Sequence, residues 1–365
     1  MQNKIDSNVF PEGPGGKIWA WLRYLFTGIS VEDGLARRAD NFLVLRIVAA
    51  AMVIYGHAPH VAAGVYGKDI FTQFGWGIYS GDIAVNIFFL ISGFLVTGSY
   101  IRNDSLYLFA KARFLRVYPA FVLNIVVLAL VYGLLFTSLP AKDYLHQSGV
   151  WDYITTNLKM SSHMVWTLPG VFDEGLKSAT INGSQWTLPA EVRMYVLLGV
   201  MGALGLLVSA RVATVVLGVL LVAATLHPEQ FPLHPDWFRL AGYFLLGVLV
   251  YMHRARVKIR MDLVVGLILL AVLTRHLPVY PMTFALALAG MVFCLAYLTP
   301  PWRWLERYGD PSYGVYLWGW PCQQVVSWFL PNAGWTLHVV LALAMALVLG
   351  YTSWTFFEKQ MLRFK

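Results

Sequence analysis

Runs of about 20 apolar residues with few charges recur along this chain, and that is the length a helix needs to cross a bilayer. Inside lipid the backbone must satisfy its own hydrogen bonds, so these runs are predicted to be α-helices. Ten candidate spans follow, at about 42–60, 82–101, 117–138, 186–208, 211–226, 237–252, 262–277, 279–298, 312–330 and 335–357. The 365 residues would suffice for two or three soluble domains. Composition excludes that reading, because 58% are hydrophobic and 13% charged, where a soluble domain carries about 25% charged residues. The expected fold is all-α, a polytopic transmembrane helix bundle of about ten spans.

Orientation follows from the basic residues, which collect on the cytoplasmic side. With the N-terminus inside, the inner segments hold 19 Lys and Arg and the outer segments 5, while Arg46, Arg193 and Arg239 fall within spans. Both termini are therefore expected in the cytoplasm, in a multi-pass protein of the cell membrane. The net charge of +8 is accounted for by the same rule and does not call for a nucleic-acid partner. Three regions are expected. Residues 1–40 form a cytoplasmic N-terminal segment without a signal-peptide pattern, and an amphipathic patch at Trp19–Ile29 can lie on the membrane surface. Residues 41–358 form the transmembrane domain, and 359–365 a cytoplasmic tail. Within the domain, 139–185 is a long extracytoplasmic loop whose aromatic and periodic apolar residues favour a folded cap. Cys294 and Cys322 lie in apolar runs and suggest neither a disulfide framework nor a metal site.

An ionisable residue within a span is costly and points to function. Arg46 and His57 are eleven residues apart, close to three helical turns, so they share a face and are separated by roughly 16 Å along the axis. The alternative is an arginine snorkelling to the inner headgroups and an interfacial histidine. Asp82, Asn86, Gly93 and Thr97 form a stripe on the second span. Small and polar residues of that kind also glue helices together, but Asp82 enters close in depth to His57. Lys111, Arg113 and Arg116 lead into the third span at Tyr118-Pro119, either as ordinary cytoplasmic anchors or as a clamp for an anion such as phosphate. Span four opens with Trp186, Thr187, Leu188, Pro189 and Glu191. Glu191 is either a helix-end device beside Arg193 or a carboxylate placed near His57.

Four pieces in order, Arg46 with His57, Phe88–Phe94, Arg113-x-x-Arg116 with Tyr118-Pro119, and Trp186-Thr187-Leu188 leading to Glu191, resemble the acyltransferase-3 family of membrane O-acyltransferases. A fifth, Ser312–Trp318, matches less closely. The resemblance covers about residues 40–357. It implies transfer of an acyl group, acetyl by default, from a cytoplasmic acyl-CoA to a hydroxyl of an extracytoplasmic glycan or lipid-linked saccharide, with no tightly bound cofactor and no metal. It also implies that Arg46, His57, Arg113 and Arg116 are essential. Where many members carry a second histidine after the span-nine Tyr-Leu-Trp, this chain has Gly319.

On that reading His57 is the expected general base, since imidazole titrates near neutrality, with Glu191 or Asp82 orienting it. Arg46, Lys111, Arg113, Arg116 and Tyr118 are expected toward the donor, Arg46 either touching it or holding a polar network. Trp186 and Asn86 are expected on the acceptor side. The competing expectation is a transporter or flippase that moves a glycan or lipid-linked substrate without acylating it. Transport paths also use intramembrane Arg and His, but no mirrored halves are visible in the sequence.

Overall fold

The computed structural model describes residues 25–65, 68–172, 176–226 and 235–365. It is mostly helical, and each of the ten predicted segments is a helix. These are α1 (Phe42–Ala63), α2 (Ser80–Asn103), α3 (Leu106–Val127), α4 (Leu188–Ala203), α5 (Ala210–Leu226), α6 (Pro235–Met252), α7 (Met261–Leu273), α8 (Tyr280–Tyr297), α9 (Ser312–Phe329) and α10 (Trp335–Ser353). Among the described residues five are long and apolar enough to cross a membrane: α1, α2, α3 with its extension to Phe136, α8, and α10 with its extension to Phe364. Most of the Trp19–Ile29 patch lies outside the described residues, and its end, Ile29–Ser30, is a strand.

The chain forms two compact units. Of the described residues, one unit comprises 25–45 and 253–304, the other those between 46 and 252 together with 305–365. In the first, strand β1 (Ile29–Ser30) pairs antiparallel with β2 (Lys258–Ile259), with Ile29 opposite Ile259. Asn41 ties the start of α1 to the end of α8. Its amide donates to Thr299 Oγ1 (2.7 Å) and Pro300 O (3.1 Å), and its side-chain oxygen accepts from Trp302 N (2.9 Å). Phe42 packs edge-on against Phe293 and Tyr297.

The second unit holds every residue singled out above for chemistry. Its helices approach closely where side chains are smallest, as lipid-embedded helices must when no water drives their association. On α2, Gly93 lies against the Phe244 carbonyl of α6, and Gly247 of α6 lies against the Leu90 carbonyl. Gly314 and Gly350 bring α9 onto α10 in the same way. Ala50 and Ile54 of α1 join Val315, Cys322, Val326, Ala342 and Ala346 in a buried core. The stripe on α2 thus faces α6, and the Thr97 hydroxyl donates back to Gly93 O (2.6 Å). A Gly93→Val substitution is expected to force α2 from α6 and to destabilise the protein by about 3 kcal/mol. A Gly93→Ala variant should fall between the two in thermal unfolding of the solubilised protein.

The loop predicted at 139–185 is folded. Short helices at Ala141–His146 and Ser148–Asn157 are followed by a bridge between Thr137 and Val171. Asn157 closes the next turn, accepting from Val165 N (2.8 Å) and donating to Val165 O (2.9 Å). Tyr144, fully buried, donates to Ala129 O (2.6 Å), where the helical run after α3 loosens into a π-turn at Leu128–Tyr132. Burial without a charged partner pushes the Tyr144 phenol up to about 12. Trp320 Nε1 and the Gln324 amide bind the loop's far end from α9, both donating to Thr180 O at 2.9 and 2.6 Å. The loop is therefore part of the site's wall.

Candidate active site

The polar residues of the sequence motifs divide between two cavities of the second unit. The first, of about 130 Å³, is lined by Arg46, Ser92, Arg113, Arg116, Glu191, Tyr195, Tyr313 and Tyr316 among apolar side chains of α2 and α3. Arg113 and Arg116, three residues apart, share one face of α3. Arg116 is heavily engaged. Its Nη2 meets Asp310 Oδ2 at 2.6 Å, its Nη1 meets Glu358 Oε2 at 3.4 Å, and its guanidinium lies over the rings of Tyr313 and Trp354. Arg46 shares the same Asp310 oxygen at 3.1 Å. Ser312 Oγ donates to the other Asp310 oxygen (2.6 Å) and Ser353 Oγ to Glu358 (3.0 Å). Burial alone would raise the Asp310 carboxyl, but Arg116 and Arg46 outweigh it and hold it down to about 2.

Glu191 lies in this cavity with a different set of partners. The Tyr195 hydroxyl, one helical turn on, donates to Glu191 Oε1, and Ser92 Oγ stands 3.0 Å from the same hydroxyl. Arg193 makes no ion pair with it. The Arg193 guanidinium covers the Trp237 ring at 4.6 Å and donates to Pro189 O.

The second cavity, about 610 Å³, is lined by His57, Tyr79, Trp166, Trp186, Trp237, Trp320, Asp236 and small polar residues of the loop. Gly56 explains the position of His57. A Cβ there would stand 2.5 Å from Gly81 N and 2.6 Å from Ser80 Oγ, so its absence lets α1 lie directly on the start of α2. His57 Nε2 then stands 3.5 Å from the Tyr79 hydroxyl, and its ring meets Trp320 edge-on at 4.9 Å. His57 Nδ1 is buried and has no hydrogen-bond partner among the described residues. Asp69 fixes the start of α2 from below, accepting from Ser80 N at 2.5 Å. Gly183 gives Trp320 room, since a Cβ there would meet its ring at 2.7 Å.

The wall between the cavities is the 3-10 turn Gly183–Thr187 at the entry to α4. Trp186 faces the second cavity and Thr187 the first. Tyr316 of α9 pins the turn, donating to Ser184 O (2.6 Å) with Thr187 Oγ1 at 2.6 Å from the same hydroxyl. Behind it Asn124 Oδ1 accepts from the Gln185 amide (2.9 Å), and Asn182 Nδ2 donates to Leu317 O (2.8 Å).

The expected orientation of His57 by a carboxylate is corrected by this layout. Glu191 lies past the turn, in the first cavity, and does not reach His57. Asp82 and Asn86, one turn apart on α2, both face Arg239 of α6. Arg239 Nη2 meets Asp82 at 2.7 Å, and its Nη1 donates to Asn86 Oδ1 at 2.7 Å. An arginine in a bundle draws the nearest acceptors, and α6 lies closer to that face of α2 than α1 does. Trp186 lines the His57 cavity, whereas Asn86 lines neither cavity. On the arginine side Lys111 lines neither of these cavities, and Tyr118 serves the loop, its hydroxyl donating to Leu158 O (3.3 Å) while its ring stacks on Phe114. Gly319, where the family commonly has histidine, packs on Ile54, and a Cβ there would stand 2.8 Å from Ile54 Cγ1. A side chain at that position would have to displace the Ile54 side chain.

Sequence reasoning missed Asp310, Glu358 and Tyr79. For the carboxylates a signal existed. Arginines buried in a bundle need anionic partners, and Asp310 and Glu358 flank the last two apolar runs.

Comparison with known proteins adds three relatives. The acyltransferase-3 family model, described as an acyltransferase domain, matches residues 41–355. An O-acetyl transferase of Shigella phage Sf6 is 28% identical over 345 residues, covering 89% of this chain and 96% of that protein. Nodulation protein 10 of Rhizobium leguminosarum bv. viciae is 32% identical over 47% of this chain and 46% of its own length. The acyltransferase MdmB of Streptomyces mycarofaciens is 33% identical over 32% of this chain and 27% of its own length. No solved structure matches.

Proposed function

The chain belongs to the acyltransferase-3 family, and we propose from that premise that it moves an acetyl group from cytoplasmic acetyl-CoA to a hydroxyl of an extracytoplasmic glycan or lipid-linked saccharide. The enzyme class is an acyltransferase. The donor, the acceptor and the sidedness are the proposal. The observation that carries it is the environment of His57, a histidine with an unpartnered ring nitrogen in a roomy cavity walled by four tryptophans. Flat aromatic faces suit the C–H faces of a pyranose, and a few polar groups then fix its orientation. The excess of inner Lys and Arg supports ten spans with both termini in the cytoplasm. That arrangement puts the arginine cavity toward the inside and the tryptophan cavity toward the outside.

In this reading the acceptor lies against Trp186 and Trp320 with its hydroxyl at the His57 ring. His57 removes the hydroxyl proton as the oxygen attacks the thioester carbonyl, and the coenzyme A thiolate leaves toward the arginine cavity. The thioester arm reaches His57 past Thr187 and Tyr316. Neither carboxylate first considered is available to orient the imidazole, so Tyr79 takes that role through its hydroxyl near Nε2.

The test is incubation of membranes carrying the protein with acetyl-CoA labelled in the acetyl group. Label on surface glycan, lost on mild alkaline treatment that cleaves esters, supports the reading. Passage of unmodified saccharide across the bilayer without label would instead favour transport.

A further inference from the structure

The second cavity carries its fixed charge on one side chain. Among the described residues that line it there is no lysine or arginine, and Asp236 is the one carboxylate. The internal segments outside the described residues, 66–67, 173–175 and 227–234, hold no lysine or arginine in the sequence either. Arg239 and Arg193 touch lining residues without lining the cavity themselves, and both are engaged. Arg239 Nη2 meets Asp82 at 2.7 Å and Asp236 at 3.6 Å, and its Nη1 donates to Asn86 Oδ1. Arg193 covers the Trp237 ring and donates to Pro189 O. An acidic sugar entering this cavity would bring a second carboxylate beside Asp236 with no lining cation to offset it. At a separation of about 6 Å in a partly wet site, two like charges repel enough to weaken binding about tenfold.

A neutral sugar meets the opposite situation. Asp236 stands in the first turn of α6 next to Trp237, and both line the cavity. Arg239, anchored on Asp82 and Asn86, fixes the carboxylate, which keeps 48% of its side chain exposed. An ionised carboxylate accepts up to about four hydrogen bonds and donates none. Neighbouring hydroxyls of a pyranose are donors that suit it, while the C–H face of the ring lies on a tryptophan. An ammonium sugar suits the position less, because Arg239 already offsets the charge.

We propose that Asp236 sets the charge class of the acceptor: the cavity takes an uncharged pyranose, whose hydroxyls donate to Asp236, and turns away uronic acids and other anionic sugars. This inference rests on the reading of the second cavity as the saccharide site. Asp236 acts on which sugar binds, not on the bond that forms.

The experiment uses the full chain in phosphatidylcholine nanodiscs, acetyl-CoA labelled in the acetyl group, and methyl pyranosides of the gluco, galacto and manno series. Each series supplies the neutral hexoside, its uronate and its 6-amino-6-deoxy counterpart. Members of a series differ at carbon 6 alone, so the ratio between them reads charge. Equilibrium dialysis and acetyl transfer are the readouts. Wild type is expected to bind and acetylate the hexoside of one series or more, with the uronate about tenfold weaker or worse and the ammonium sugar within about threefold. Asp236→Asn keeps the shape and an acceptor oxygen but removes the charge, and should bring the uronate within about threefold of the hexoside. Asp236→Ala should raise the KM for the hexoside about tenfold, the loss of one hydrogen bond to a charged group, with the KM for acetyl-CoA unmoved. A merely structural role for Asp236 would leave the ratio of uronate to hexoside where it is in wild type. A uronate bound by wild type as tightly as the hexoside, or a ratio that Asp236→Asn does not change, overturns the proposal, while transfer of label leaves the acyltransferase reading in place. An ammonium sugar bound more than about tenfold tighter than the hexoside would make Asp236 a cation site and overturn the proposal as well. Failure of every sugar to bind overturns the cavity as a saccharide site and this proposal with it. The same failure together with unlabelled glycan in membranes overturns acyl transfer to a saccharide too.

Discussion

Replacing His57 by alanine is expected to lower acyl transfer by about 10²–10⁴-fold, the range a positioned general base contributes. The variant should still insert and fold, because His57 makes one long contact to Tyr79 and an edge-on contact to Trp320 rather than holding a network together. His57→Gln keeps most of the volume against Trp320 and should be equally inactive, which separates loss of the base from loss of packing. Added imidazole should restore part of the activity of His57→Ala, because the vacated space opens onto a cavity of about 610 Å³. A well-folded His57→Ala protein with near-normal turnover would remove the base from His57. Tyr79→Phe is the accompanying probe. A Tyr79 that orients the imidazole predicts a lower kcat with little change in acceptor KM.

Asp310→Ala should have the largest effect on stability. One carboxylate oxygen serves both Arg46 and Arg116, and its loss leaves two partly buried guanidiniums facing each other. Removing one partner of a buried pair costs about 3–5 kcal/mol, and here the lower end applies because Arg46 keeps 27% of its side-chain surface exposed and Arg116 18%. Thermal unfolding of solubilised protein measures it. A second substitution, Arg46→Met in the Asp310→Ala background, should recover part of the loss, since the repulsion is then relieved. Additive effects of the two substitutions would mean that the shared oxygen couples nothing. The acid dependence has a definite sign. The folded carboxyl is held at about 2 against an ordinary value of 3.8. Its contribution to stability is therefore complete above pH 3.8 and is lost as the pH falls from there through about 2. At neutral pH Asp310 is fully ionised, so its own titration does not change activity near pH 7.

Much of this protein was legible in its amino-acid order. The apolar runs located the helices α1 to α10, because a segment that must satisfy its own backbone in lipid has one regular solution. The spacing of Arg46 and His57 placed them on one face of one helix, and the structure puts one in each cavity. The aromatic residues of the long loop indicated a folded element, as found. The same local reading also set Asp82 or Glu191 beside His57, whereas Glu191 meets Tyr195 and Asp82 meets Arg239. Periodicity gives the depth and face of a residue within its own helix but not which helix stands opposite that face. Asp82 meets Arg239 157 residues away, Arg116 meets Asp310 at 194 and Glu358 at 242. Those pairings were decided by close packing at glycines: Gly93 and Gly247 set α2 on α6, and Gly314 and Gly350 set α9 on α10. The sequence by itself determined where the helices lie and which residues share a helix face, since these depend on neighbours a few residues away. Only the tertiary structure decided the partner of each charge, and with it the split into an arginine cavity and a histidine cavity, because a charge in a bundle is satisfied by whatever helix the packing brings against it.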